Sequence, residues 1–139
     1  MWKRLDPLAA TGLPIHLTEI SAKTPDESQR AEALEALFRV GFAHSGVQGI
    51  LIWGFWEKSH WMGRNAVLVD ADWNLLPAGK RIFEDLLGRE WNTDLEVRSD
   101  QDGKVVFRGF FVIVIAGSKS LGTVSFQSKG SRGAVLEAR

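Results

Sequence analysis

The chain has 139 residues, 45% of them hydrophobic, with 17 basic and 17 acidic side chains and no cysteine. That length can bury one core and argues against disorder. Balanced charge removes the electrostatic basis for nonspecific nucleic-acid binding, and the lack of thiols excludes disulfides and thiolate metal sites while leaving the compartment open.

The opening Met1-Trp2-Lys3-Arg4-Leu5-Asp6 is too charged, and the apolar stretch after it too brief, for a signal peptide or a membrane span. Residues 3–11 read as the tail of a helix that Gly12 and Pro14 break. The next segment, Leu-Pro-Ile-His-Leu-Thr-Glu-Ile-Ser at 13–21, reads as a strand. Alternation puts Ile15, Leu17 and Glu19 on one face and His16, Thr18 and Ile20 on the other. Both faces are mostly apolar, as in a parallel strand covered on two sides. Glu19 then takes the last inward position, and His16 is expected to sit satisfied between sheet and helices.

Thr24-Pro25-Asp26-Glu27 has the form of a capping box, with Thr24 at the N-cap, Pro25 at the first helical position and Glu27 reaching back. The helix that follows carries Ala31, Leu34, Leu37, Phe38 and Phe42 at helical spacing, and His44-Ser45-Gly46 stops it. His44 is expected there as a cation meeting the helix dipole. A second strand over 49–54 places Leu51 and Trp53 on one face and Ile50 and Ile52 on the other, completing a βαβ unit. A loop rich in Trp, Glu, His and Arg comes next, then a turn over 70–76. A second helix is expected over 77–87, with Ala78, Ile82, Phe83 and Leu86 buried and Gly88 closing it.

Asp70-Ala71-Asp72-Trp73-Asn74 imitates the start of a calcium loop, but Leu75 stands where Gly is needed and Arg81 where a bidentate Glu should be. No metal and no cofactor are expected. From Leu95 the pattern turns to strands without helices: 96–98, a turn at Asp102-Gly103, then 104–115, 122–126 and 133–137. This predicts two parts, an α/β part over 1–94 and a small antiparallel β appendage over 95–139.

A lone Glu at one parallel strand end and three tryptophans at the next suggest a sugar-cleaving cleft, because (β/α)8 barrels carry their active sites at the carboxyl ends of the strands. The same segments resemble the C-terminal end of the glycoside hydrolase family 10 barrel, the family of endo-1,4-β-xylanases. The resemblance covers about residues 3–93. It lies in Leu17-Thr18-Glu19-Ile20, similar to the Thr-Glu step ending the seventh strand, and in Trp53-Gly54, Glu57 and Trp61, similar to the close of the eighth. Ala71-Asp72-Trp73-Asn74-Leu75-Leu76-Pro77-Ala78-Gly79-Lys80 resembles the approach to the last helix, Trp91-Asn92-Thr93 the barrel end, and Phe107-Arg108-Gly109-Phe110 a β extension found after some of these barrels.

The resemblance implies a fold class of α/β, the last two βα units of a (β/α)8 TIM barrel. It implies retaining hydrolysis of internal β-1,4 links in xylan, with Glu19 as nucleophile. Trp53 and Trp61 would hold the sugar, since an indole face packs on the C–H face of a pyranose. Glu57 would accept hydrogen bonds from sugar hydroxyls or orient its neighbours, and His60 and Arg64 are rim candidates for substrate binding. Trp2, Trp73 and Trp91 are given to packing, and Trp56 is left open.

A retaining glycosidase needs two carboxyl groups about 5–5.5 Å apart. The family's acid/base glutamate sits in an Asn-Glu step, and no such step occurs in this sequence. The chain is therefore expected to be a fragment, inactive alone, whose partners are a xylan-like polysaccharide and the missing N-terminal barrel units. Nucleic acid and membrane are not expected partners, and the parent enzyme would be secreted or periplasmic. Two other readings stay open: a non-catalytic carbohydrate-binding or interaction protein derived from such a barrel, and a retaining barrel hydrolase acting on another β-glycan.

Overall fold

A computed structural model describes residues 1–98, 100–102, 104 and 109, together with the backbone of 112–116 and 119–124. The chain divides into two compact units, Met1–Leu87 and Gly88–Arg139.

The first unit opens with helix α1 (Trp2–Ala9), which Gly12 ends with φ +77°. Strand β1 (Ile15–Ile20) and strand β2 (Val47–Ile52) pair in parallel, joined by helix α2 (Glu27–Ala43), so the expected βαβ unit is present. β2 starts and stops two residues earlier than expected, because Gly54 turns the chain into the left-handed region (φ +65°).

Helix α2 begins later than the Thr24 cap implied. Asp26 is the N-cap, its Oδ1 accepting the backbone N–H of Ser28 (2.9 Å) and Gln29 (3.1 Å). An ionised carboxylate is a stronger acceptor for these orphan donors than a hydroxyl. Thr24 Oγ1 instead accepts the N–H of Asp26, and Glu27 lies toward Arg64 (3.6 Å) rather than reaching back.

The buried line of α2 is Arg30, Leu34, Phe38 and Gly41. A Cβ on Gly41 would stand 2.7 Å from Ile50 Cδ1, so glycine there lets the helix lie close on β2. At the other end His44 is buried and its Nδ1 accepts the N–H of Gly46 (3.1 Å), while Nε2 faces Asp6 Oδ1 (3.3 Å). His44 thus closes the helix at the place expected for it, held by Gly46 and facing Asp6.

After β2 the apolar run Ala66-Val67-Leu68-Val69 is buried throughout. Phe55 O accepts from the N–H of both Leu68 and Val69, and Glu57 N–H donates to Val69 O (3.0 Å), so the loop folds back as a short extended pair. The last helix starts as α3 (Pro77–Gly79) and continues as a π-helix over Lys80–Glu90. It passes through Gly88 rather than ending there. Ala78, Ile82 and Leu86, four residues apart, are fully buried, whereas Phe83 is 43% exposed. Phe83, one position beyond Ile82, falls beside that buried line and not on it. Arg81 grips Glu35 of α2 through Nε and Nη2, both at 2.5 Å, and Arg39 joins from Glu35's own helix (2.7 Å).

In the second unit β3 (Val112–Ala116) pairs antiparallel with β4 (Lys119–Val124). Residues 96–98 form no strand. Half of the strand expected over 104–115 and all of 133–137 lie outside the described residues, so an antiparallel layer running from 96 to 137 reduces, among the described residues, to this one strand pair.

Candidate functional site

The carboxyl ends of β1 and β2 carry the residues of interest. Their ladder is regular at Leu17↔Ile50 and resumes at Ile20↔Ile52, so Thr18 and Glu19 together oppose the single residue Leu51. This is a β-bulge, and Glu19 has φ +57° within it. A left-handed non-glycine residue costs on the order of 1–3 kcal/mol, and such outliers concentrate at functional sites. The bulge breaks the strict alternation expected through Glu19 and re-aims its side chain. Glu19 is exposed, and among the described residues no hydrogen bond or ion pair engages its carboxylate. His16, expected to be enclosed, is exposed, with Gly49 so near that a Cβ there would lie 2.8 Å from its Nδ1.

Next to Glu19 the ladder closes on Trp53. The Trp53 N–H donates to Ile20 O (2.9 Å), and the Ser21 hydroxyl donates to Trp53 O (2.9 Å). Beyond lies an open cleft of ≈ 270 Å³ lined by Trp53, Gly54, Ser59, His60 and Trp61. Trp53 is 52% and Trp61 80% exposed, so both rings offer surface to a ligand.

His60 departs from the rim role expected for it. It is 6% exposed. Its Nδ1 accepts the N–H of Met62 (3.0 Å), and its Nε2 faces Ser21 Oγ at 3.4 Å. Gly54 is where the histidine needs it, since a Cβ there would fall 2.5 Å from His60 Cδ2.

Glu57 and Arg64 form a separate group. Glu57 Oε2 accepts from Ala71 N–H (3.1 Å) and from Arg64 Nη1 (3.2 Å). Arg64 also reaches Glu27, so it stands between two carboxylates. These contacts fit an orienting role for Glu57: one oxygen already holds the loop that leads to the last helix. The loop is fixed from beneath by Arg30, which sequence reading passed over. Its guanidinium is 1% exposed and donates to the carbonyls of Arg64 (2.9 Å), Val67 (2.8 Å) and Thr24 (3.1 Å). Burial lowers its pKa, and the three carbonyls compensate the buried charge.

The remaining tryptophans sort by contact. Trp56, left open from sequence, stacks on Trp73 with ring centres 4.7 Å apart and planes 18° apart. Trp73 takes part in that packing yet is 63% exposed and has φ +69°. Trp2 lies against His44 at 4.9 Å. Asp70 ties its turn with Oδ1 on the N–H groups of Asp72 (2.9 Å) and Asn74 (2.8 Å). Its pKa is lowered, first by the Asn74 backbone hydrogen bond. Its carboxylate therefore serves the turn itself.

Of the residues singled out from sequence, Glu19, Trp53 and Trp61 stand at one end of the sheet, while Ser21, Arg30 and the packing demand on Gly54 were passed over. Arg30 had a legible signal, lying four residues before Leu34 on the apolar line of the helix. Ser21 had a weaker one, a hydroxyl two residues past Glu19.

Similar proteins bear on this geometry. Anti-sigma-I factor RsgI6 of Acetivibrio thermocellus is 48% identical over 107 residues, 77% of this chain and 14% of that protein. Endo-1,4-beta-xylanase 2 of Arabidopsis thaliana is 36% identical over 126 residues, 90% of this chain and 11% of that protein. The chain thus spans only a small part of these relatives. Xylanase 10B from Thermotoga petrophila, solved in complex with xylobiose, superposes with a TM-score of 0.54 at 26% identity, over 63% of this chain and 31% of that one. The part in common is a portion of an α/β barrel. Residues 1–85 match the family described as Glycosyl hydrolase family 10, and with the strand-end arrangement above, the chain belongs to that family.

Proposed function

We propose that the chain forms the nucleophile-bearing end of a retaining β-1,4-xylanase barrel, its last two βα units, with the residues from 95 onward as a β extension. The observation that carries this reading is Glu19, exposed and left-handed in a bulge beside the strand end where Trp53 opens the cleft. A carboxylate free of partners is available to attack an anomeric carbon, and the indole faces of Trp53 and Trp61 suit pyranose rings. Membership of the family and the xylobiose complex of a structural relative support xylan as the substrate class.

In the proposed reaction a Glu19 oxygen bonds to the anomeric carbon as the glycosidic C–O bond breaks. The leaving oxygen takes a proton from a second carboxyl group. Water then adds to the same carbon, gives its proton to that second group and releases Glu19, so configuration is retained. Glu57 does not fit the second role, because Arg64 and the Ala71 N–H already hold one of its oxygens. The acid/base carboxyl comes from another strand of a complete barrel.

Joining residues 1–94 to the preceding units of a family 10 xylanase barrel tests the proposal. The hybrid should hydrolyse xylan and lose turnover with Glu19→Gln while keeping sugar binding, whereas the chain alone should show none. Unchanged turnover in the variant would exclude the assigned role.

One observation favours a second reading. A relative at 48% identity is named an anti-sigma factor rather than a hydrolase, so a barrel end of this kind also serves in a regulatory protein. On this reading the cleft of the present chain binds a glycan without cutting it. A hybrid that binds xylooligosaccharides but never turns them over would support that reading.

A further inference from the structure

We propose that His60 is a positioning residue: acting through Ser21, it fixes Trp53 against the strand end that carries Glu19 and so sets the shape of the cleft. The part of this inference that concerns sugar rests on the function proposed above, whereas the part that concerns the strand ends does not.

His60 is buried, and each ring nitrogen has a partner of a different kind. Nδ1 accepts the Met62 N–H, which places the ring proton on Nε2. Nε2–H then faces Ser21 Oγ, and that oxygen can accept from it only by turning its own proton elsewhere. The Ser21 hydroxyl does so, donating to Trp53 O. The direction of the chain is therefore determined throughout: ring N–H to hydroxyl, hydroxyl to carbonyl. It joins three places in the sequence, the loop at 60–62, the residue after β1, and the residue after β2. With the Trp53 N–H donating to Ile20 O, both backbone polar groups of Trp53 are tied to the end of β1.

Gly54 makes room for this arrangement. Any side chain there would both strain a left-handed residue and collide with the imidazole at 2.5 Å. A histidine facing the sugar would need none of this. Its burial, its two-sided satisfaction and the space left for it at Gly54 are what a fixing group requires.

The test is amide hydrogen exchange on this chain, followed by mass spectrometry on fragments spanning 50–55, with fragments spanning 30–40 of α2 as reference. Ser21→Ala removes the middle of the chain. His60→Asn keeps an acceptor for the Met62 N–H but is too short to reach Ser21, whereas His60→Gln can reach Ser21 with its amide. Ser21→Ala and His60→Asn should each speed exchange at Trp53 by about tenfold, as the loss of one hydrogen bond implies. His60→Gln should stay within about twofold of the unaltered chain, and α2 should be unchanged in all three. Any other ordering overturns the proposal, and equal loss of protection in α2 would reduce His60 to general packing. Calorimetric titration with xylotetraose adds a separate arm. If a completed barrel carrying residues 1–94 does not bind the sugar, the functional reading fails, while the exchange ordering still decides the role of His60.

Discussion

Replacing Glu35 by Gln removes the anionic partner that clamps α2 to the last helix. The Arg81 fork, with Arg39 beside it, holds the Glu35 carboxyl down from 4.5 to about 2. That difference corresponds to at most about 3 kcal/mol at neutral pH. The side chains of Glu35 and Arg81 are 23% and 24% exposed, so solvent screening reduces the contribution to about 1–2 kcal/mol. Because the folded-state value is the depressed one, the stabilisation is complete above about 4.5 and is lost as pH falls through about 2. Urea midpoints should therefore show Glu35→Gln less stable by this amount at pH 7, with the gap closing between about pH 4.5 and 2 and shrinking in high salt. A variant as stable as the unaltered chain at pH 7, or a gap independent of pH, would refute the reasoning.

Arg30→Met keeps the buried stem but leaves the carbonyls of Thr24, Arg64 and Val67 without their donor, and should lower stability by about 3 kcal/mol in urea melts; a loss under about 1 kcal/mol would contradict the role given to it. Gly79→Ala should destabilise by about 1–3 kcal/mol despite the better helix propensity of alanine, because the new Cβ meets the Leu68 carbonyl; a raised melting temperature would show that the backbone yields there. In a completed barrel Trp53→Ala and Trp61→Ala should each weaken xylotetraose binding by about five- to tenfold, while Trp2→Ala, which lies against His44 instead, should leave it unchanged; equal effects in calorimetry would move the site elsewhere.

How far the sequence could be read followed the range of the forces involved. The βαβ order and the covered positions Leu34, Phe38, Ile82 and Leu86 were legible because periodic burial writes itself into single segments. The bulge at Thr18-Glu19 was not, since no glycine marks it and the two-residue period simply continues through it. Phe83 was not legible as exposed, because an apolar residue next to the buried Ile82 reads as part of the same face. His60 was placed on the rim because its burial depends on Gly54 and on Ser21, a residue 39 positions away in sequence. Trp73 was assigned to packing from its type alone, and it both stacks on Trp56 and stays exposed.

The central claim is that Glu19 is the group that bonds to the sugar. Incubating a completed barrel with an activated fluoro-sugar xylobioside, which forms the glycosyl-enzyme intermediate and stalls there, tests it most directly through the mass of each proteolytic fragment. A single glycosyl adduct on the fragment containing Glu19, absent after Glu19→Gln, is the predicted result. An adduct on another carboxylate in a barrel that turns over xylan would contradict the account.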